Sequence, residues 1–242
     1  MTLDVHLFPC RSDNYGFLIR DAATGVVAAV DTPDAARILE ELEGLGWGRL
    51  DLILNTHWHP DHTEGNARLK ADWACEIVGP EEVRKVAPLD RVVADGDVVM
   101  VGETRFEVTE TPGHTLGHVV FHAPGDDLAF TGDTLFALGC GRLFEGTPEQ
   151  MFESLQRLKA WPDQTVIWCA HEYTASNARF TLSLDDRPEV AAHAEAIFAA
   201  RARGEPTVPT TLGVEKRFNP FLTATDAEQF AARRAAKDSF QG

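Results

Sequence analysis

An α/β body followed by a helical C-terminal unit is the fold class this sequence predicts, and three observations predict it. Short, β-branched and apolar segments alternate with helix-period segments over the first 170 of the 242 residues. The stretch "LDLILNT" (50–56) is almost continuously apolar, as expected of a strand covered on both faces. Beyond residue 171 helical periodicity continues but no convincing strand is expected. The predicted division is therefore a body over residues 1–171 and a helical unit over residues 172–242.

The body's elements follow in order. "LDVHLF" (3–8), "YGFLIR" (15–20) and "GVVAAVD" (25–31) read as strands separated by turn residues. "DAARILEELEGL" (34–45) has helical spacing, with Asp34 as N-cap and Gly46 as stop. After the strand at 50–56 come a helix near 63–72 and a strand near 75–79. Residues 91–131 hold a run of short strands punctuated by "DGD" and "PGDD" turns. A helix at 148–161 and a strand at 165–170 complete the body. In the C-terminal unit, helices are expected near 174–184, 188–203 and 226–238, separated by the broken stretch "GEPTVPTTLGVEKRFNPF".

Composition limits the function classes. Hydrophobic residues make up 44% and charged residues 25%, ordinary for a globular protein. A chain of this length can bury a core without a structural metal, so a metal site here would serve chemistry. The net charge of −16 argues against a nucleic-acid surface. The four cysteines, Cys10, Cys75, Cys140 and Cys169, are scattered and read as free thiols of a reducing compartment. No leader and no bilayer-spanning run are evident, and the expected location is cytoplasmic.

The loop after the apolar strand, "NTHWHPDHTEGN", holds three of the nine histidines within six positions. His57 and His59, two apart, point to one side of an extended backbone, whereas Asp61 and His62 follow Pro60 and aim elsewhere. Four ligands in six residues cannot comfortably surround one ion, so two ions sharing the loop is the simpler geometry. Distant partners at strand ends are His114 in "TPGHTLGH", Asp133 in "FTGDTLF" and His171 in "WCAHEY". His6, His122 and His193 are read as structural, and His118 as a candidate orienting partner.

"THWHPDH", "TPGHTLGH", "GDTLF" and "HEYT" resemble, in order and spacing, the metallo-β-lactamase superfamily. "GDTLFALGCGRLFEG", "HEYT", "GEPTVP" and "RRAAKDSF" narrow the resemblance to glyoxalase II, the hydroxyacylglutathione hydrolases, over nearly the whole chain. The resemblance implies an α+β fold, an αββα four-layer sandwich followed by a helical domain. It implies that His57, His59 and His114 hold one metal, that Asp61, His62 and His171 hold a second, and that Asp133 bridges them. It also implies that Arg142, Tyr173, Arg234 and Lys237 bind glutathione. Phe144 stands where many relatives carry a tyrosine, which removes one hydroxyl contact, worth about 1 kcal/mol. Cys140 is read as structural, and Gly139 and Gly141 as permitting a tight turn that presents Arg142.

The chemistry that follows is hydrolysis of a glutathione thioester, S-D-lactoylglutathione first, to D-lactate and glutathione. A hydroxide bridging two divalent ions attacks the acyl carbon, with Asp61 and Asp133 as catalytic carboxylates. The thiolate leaves without a strong general acid, because thiol pKa values lie near ~8.5. Zinc is the first choice of metal, and His/Asp sites admit iron or manganese too. The expected partner is the small-molecule thioester, with no nucleic acid and no membrane. The rivals are a mononuclear iron persulfide dioxygenase acting on glutathione persulfide, and a metallo-nuclease of the same superfamily.

Overall fold

The computed structural model describes residues 2–242, which fall into two compact units. The first takes in the described residues through Glu110 together with Gly117–Gly132; the second takes in Thr111–Leu116 and Asp133–Gly242.

The first unit runs β1 (Leu3–Cys10), β2 (Asn14–Asp21), β3 (Val27–Val30), α1 (Ala35–Leu45), β4 (Leu52–Leu54), α2 (Pro60–Thr63), α3 (Asn66–Trp73), β5 (Glu76–Gly79), β6 (Arg91–Val92), β7 (Val98–Val101), β8 (Thr104–Glu110), β9 (Val119–Ala123) and β10 (Leu128–Gly132). One sheet has the order β1-β2-β3-β4-β5-β6, antiparallel from β1 to β3 and parallel from β3 to β6. Strands β7 to β10 pair antiparallel in the order β10-β9-β8-β7. Alternation along β2 sends neighbouring side chains to opposite faces. Leu18 joins a core with Ile53, Ile77, Ile38, Leu42 and Leu69, which beds α1 and α3 on the first sheet. Phe17 points the other way and meets Phe130 of β10 edge-on at 5.4 Å, joining the two sheets face to face.

Local signals set α1 as read. The Asp34 carboxylate accepts from the amides of Ala36 and Arg37, and Gly46 closes the helix at φ 65°. Two expectations need correction. The helix near 63–72 is two helices, α2 with Pro60 in its first turn and α3 after Gly65. Within 50–56 only Leu52–Leu54 is strand, because Asn55 and Thr56 leave it for side-chain-anchored turns.

The second unit contains β11 (Leu135–Phe136), β12 (Gly139–Cys140), α4 (Pro148–Lys159), β13 (Val166–Cys169), α5 (Thr174–Leu184), α6 (Pro188–Ala202), β14 (Thr210–Thr211), α7 (Leu212–Phe218) and α8 (Ala227–Asp238). Thr147 and Gln150 close a capping box at the start of α4. Phe230 of α8 packs against Phe152 of α4 and Phe221, while Ala178 of α5 meets Ala194 and Ile197 of α6. Against expectation, the C-terminal region contains a short strand, β14, and a further helix, α7. No described helix is long and apolar enough to cross a membrane.

Candidate metal centre

The histidine loop leaves β4 at Leu54 and enters α2 at Pro60. His57 Nε2 lies 3.0 Å from His59 Nδ1, so the two imidazoles present one nitrogen each to a common point. In α2, Asp61 Oδ2 lies 3.4 Å from His62 Nε2, a second donor pair. The far sides of these rings are held by oxygen. His57 Nδ1 is 3.0 Å from the Thr56 hydroxyl, and His62 Nδ1 donates to Asp31 at 2.8 Å. Asp31 also accepts from the Thr56 amide and hydroxyl, both at 2.8 Å, and sits at φ 56°. Asn14 donates its side-chain amide to Asp61 Oδ2 at 3.0 Å. His118 is buried and stacks on His57 with centroids 4.9 Å apart.

In the second unit one carboxylate lies between two imidazoles. Asp133 Oδ2 is 3.3 Å from His114 Nε2, and Asp133 Oδ1 is 3.3 Å from His171 Nε2. Each oxygen therefore faces a different ring, so the carboxylate could serve two ions at once. His114 Nδ1 donates to the Arg142 carbonyl at 2.8 Å, fixing its Nε2 toward Asp133. His171 stacks flat on Tyr173 at 4.8 Å and meets the edge of Phe136 at 5.8 Å.

All seven side chains, His57, His59, Asp61, His62, His114, Asp133 and His171, belong to groups able to hold a metal ion. The donor set fits divalent metal. Three of the imidazoles rest one nitrogen against a protein oxygen, which fixes the ring and leaves the opposite nitrogen for ligation. The donor pairs of the loop, and separately the two-sided carboxylate with its imidazoles, offer nitrogen and oxygen donors suited to divalent ions, with no sulfur among them.

A family profile described as Metallo-beta-lactamase superfamily matches residues 21–171, and one described as Hydroxyacylglutathione hydrolase C-terminus matches residues 172–240. A hydroxyacylglutathione hydrolase of Erythrobacter litoralis is 47% identical, covering 98% of this chain and 100% of its own. One of Maricaulis maris is 50% identical, covering 98% of each chain. The chain belongs to the hydroxyacylglutathione hydrolases. It is accordingly a metal-dependent hydrolase with the metallo-β-lactamase fold and a helical C-terminal region. In structure it is also similar to ETHE1 from Myxococcus xanthus, with a TM-score of 0.74 and 27% identity, covering 97% of this chain and 90% of that one.

Beside the candidate ligands of its second unit the hydrolase has a cavity of about 420 Å³, lined among others by Arg142, Phe144, Tyr173, Arg234 and Lys237. The three cations there are not equivalent. The Arg142 side chain is 64% exposed and only loosely approaches Asp238, at 3.6 Å. Arg234 is buried; its guanidinium donates to the Cys140 carbonyl and to Asp238, both at 2.9 Å, and lies over Phe221. Lys237 Nζ donates to the Ser176 carbonyl at 3.0 Å and hydroxyl at 2.9 Å. Burial, then the positive charges of Arg234, Arg142 and Arg179, push its ammonium down to about 8. Phe144 is exposed and stands edge-on to His114 at 5.2 Å.

Gly139 and Gly141 are needed for close approach, while the positive φ of the β11–β12 turn falls at Leu138, 55°. A Cβ at Gly141 would stand 2.0 Å from the Asp133 carbonyl oxygen, and one at Gly139 2.3 Å from Asn177. All four thiols are free and buried, and burial pushes Cys10 and Cys169 up to about 12 and Cys140 to about 11. They are unreactive at neutral pH. His6 pairs with Glu41, His122 lies within β9, and His193 stacks on Phe218. Sequence reading missed Asp31, Asn14 and Thr56 as orienting residues. For Asp31 the available signal was an acid at the carboxyl end of β3, the parallel neighbour of the strand that feeds the histidine loop.

Proposed function

We propose that this hydrolase cleaves glutathione thioesters, S-D-lactoylglutathione foremost, into a hydroxy acid and glutathione. His57, His59 and His114 are assigned to one ion, Asp61, His62 and His171 to the other, and Asp133 to both. The observation that carries the reading is the Asp133 carboxylate, with each oxygen beside a different imidazole. Two divalent ions held by these residues would supply Lewis acidity toward a thioester carbonyl and acidify a solvent molecule toward neutral pH.

The chain's own groups do the rest. Asp61, aimed by Asn14, orients the attacking solvent. Arg142, Lys237 and Tyr173 bind the tripeptide, whose carboxylates need cations that an acidic protein must supply locally. Arg234 lines the same cavity and is assigned to the tripeptide with them, its guanidinium braced by the Cys140 carbonyl and Asp238. The departing thiolate is a stable anion, so no general acid is required. Catalysis is assigned to residues 1–171, helical substrate support to residues 172–242, and the protein to the cytoplasm, consistent with its four unpaired thiols.

A hydrolysis assay over a thioester panel, with elemental analysis of the same sample, tests the reading. Two metals per chain and turnover of glutathione thioesters are expected. A single iron per chain with oxygen uptake on glutathione persulfide would instead make it a persulfide dioxygenase.

A further inference from the structure

Helix α7 carries a carboxyl that the proposed chemistry leaves unused. Glu215 is fully buried. Its Oε2 accepts from the Leu138 amide at 2.7 Å and from the Asn219 side-chain amide at 2.9 Å, and its Oε1 from the Thr210 hydroxyl at 2.8 Å. The same Asn219 amide reaches the carbonyls of Phe136 at 3.2 Å and Gly139 at 3.0 Å. Asn177 of α5 donates to the Ala137 carbonyl at 3.0 Å, and Arg234 of α8 to that of Cys140. The recipients all belong to the β11–β12 hairpin, which is buried throughout and whose backbone polar groups therefore need partners. Burial pushes the Glu215 carboxyl up to about 7 against the pull of these hydrogen bonds, so it occupies this place at an electrostatic cost.

Each ligand of the second unit leans on that hairpin or the two residues after it. Gly141 packs on the Asp133 carbonyl so closely that no Cβ fits. The Arg142 carbonyl holds His114 Nδ1 at 2.8 Å. Phe136 sets its ring edge-on against His171. The hairpin also leads directly to Arg142 in the cavity wall. From this convergence we infer that Glu215 and Asn219 are positioning residues, which act through the hairpin on His114, Asp133, His171 and the cavity wall. The inference rests on the reading of those three residues as metal ligands.

The test uses full-length Glu215→Ala, Asn219→Ala and Glu215→Gln, each compared with wild type. Zinc affinity is measured by competition with a chromophoric chelator, alongside Tm, kcat and KM for S-D-lactoylglutathione. Both alanine variants should bind zinc about 10-fold more weakly. They should also lose kcat and raise KM at temperatures well below their melting points. Glu215→Gln keeps an oxygen for the Leu138 amide and should restore zinc affinity to within about twofold of wild type. Alanine variants that melt earlier yet bind zinc and turn over like wild type would overturn the inference. Should they not fold, Asn219→Gln, which displaces the amide by one methylene, carries the test, and wild-type zinc affinity there would equally overturn it. Zinc affinity is read without substrate, so an enzyme inactive on glutathione thioesters would sink the functional reading alone.

Discussion

The four candidate ligands of the first unit and the three of the second are held in opposite ways. His57, His59, Asp61 and His62 lie within six consecutive positions, and the turn into α2 at Pro60 sets most of their spacing. Their supports lie close to the loop: Thr56 for His57, Asp31 for His62 and, through Thr56, for His57, and Asn14 for Asp61. His114, Asp133 and His171 are far apart in the chain and share one support, the hairpin ending at Cys140 and its continuation to Arg142. A contiguous cluster is thus placed largely by the local chain, whereas a dispersed set depends on one element that only tertiary packing supplies.

The largest effect expected is from Asp133→Ala. It removes the carboxylate between His114 and His171, and kcat should fall by at least about 1000-fold, a barrier change of several kcal/mol. Metal content by elemental analysis should fall with it, and retention of both would break the bridging assignment. Asp31→Ala strips one prop from the contiguous set. Metal affinity in a chelator titration should drop by about 10–100-fold, the usual range for an orienting partner. Wild-type metal affinity in that variant would break the assignment of Asp31 as the residue that orients His62 and, through Thr56, His57.

Smaller effects sharpen the picture of the cavity. Lys237→Ala should raise KM for glutathione thioesters about 10-fold, the worth of one charge-assisted hydrogen bond, and leave a small neutral thioester unaffected. Because the Lys237 ammonium is depressed to about 8, wild-type KM should climb as pH rises through 8, and Lys237→Ala should flatten that rise. The smallest effect concerns Glu215, whose carboxyl is raised in the folded state to about 7. The stability conferred by its neutral form is complete below the ordinary value of 4.5 and is lost as pH rises through 7. Glu215→Gln cannot ionise, so its Tm relative to wild type should improve between pH 5 and pH 8, by roughly 5–10 °C.

Much of this was legible beforehand. Asp34 and Gly46 bound α1 where their chemistry places a cap and a stop, and the helix read over 148–161 is α4, which the structure closes with the Thr147–Gln150 capping box. The histidine loop announced itself by density. Helix α7 did not. It is seven residues long, holds Gly213, and follows Pro209 and precedes Pro220, all signals of a loop. Burial of Leu212 and Glu215 overrides those signals. Asp31 was equally silent, because an acid in "VDTPD" looks like any turn residue until the strand beside it is known.

Residue types and their spacing decided which chemistry this chain carries: imidazoles and carboxylates in a ligand pattern, a cation pair three apart on α8, and helices where caps and periodicity agree. These are local properties, and local sequence encodes them. Packing alone decided which oxygens fix His62 and His114, that Arg234 is braced by Cys140, and that a buried acid on α7 braces a hairpin beneath three candidate ligands. The His62, His114, Glu215 and Arg234–Cys140 hydrogen bonds join residues 28 to 94 positions apart, and only the folded chain brings such partners within reach.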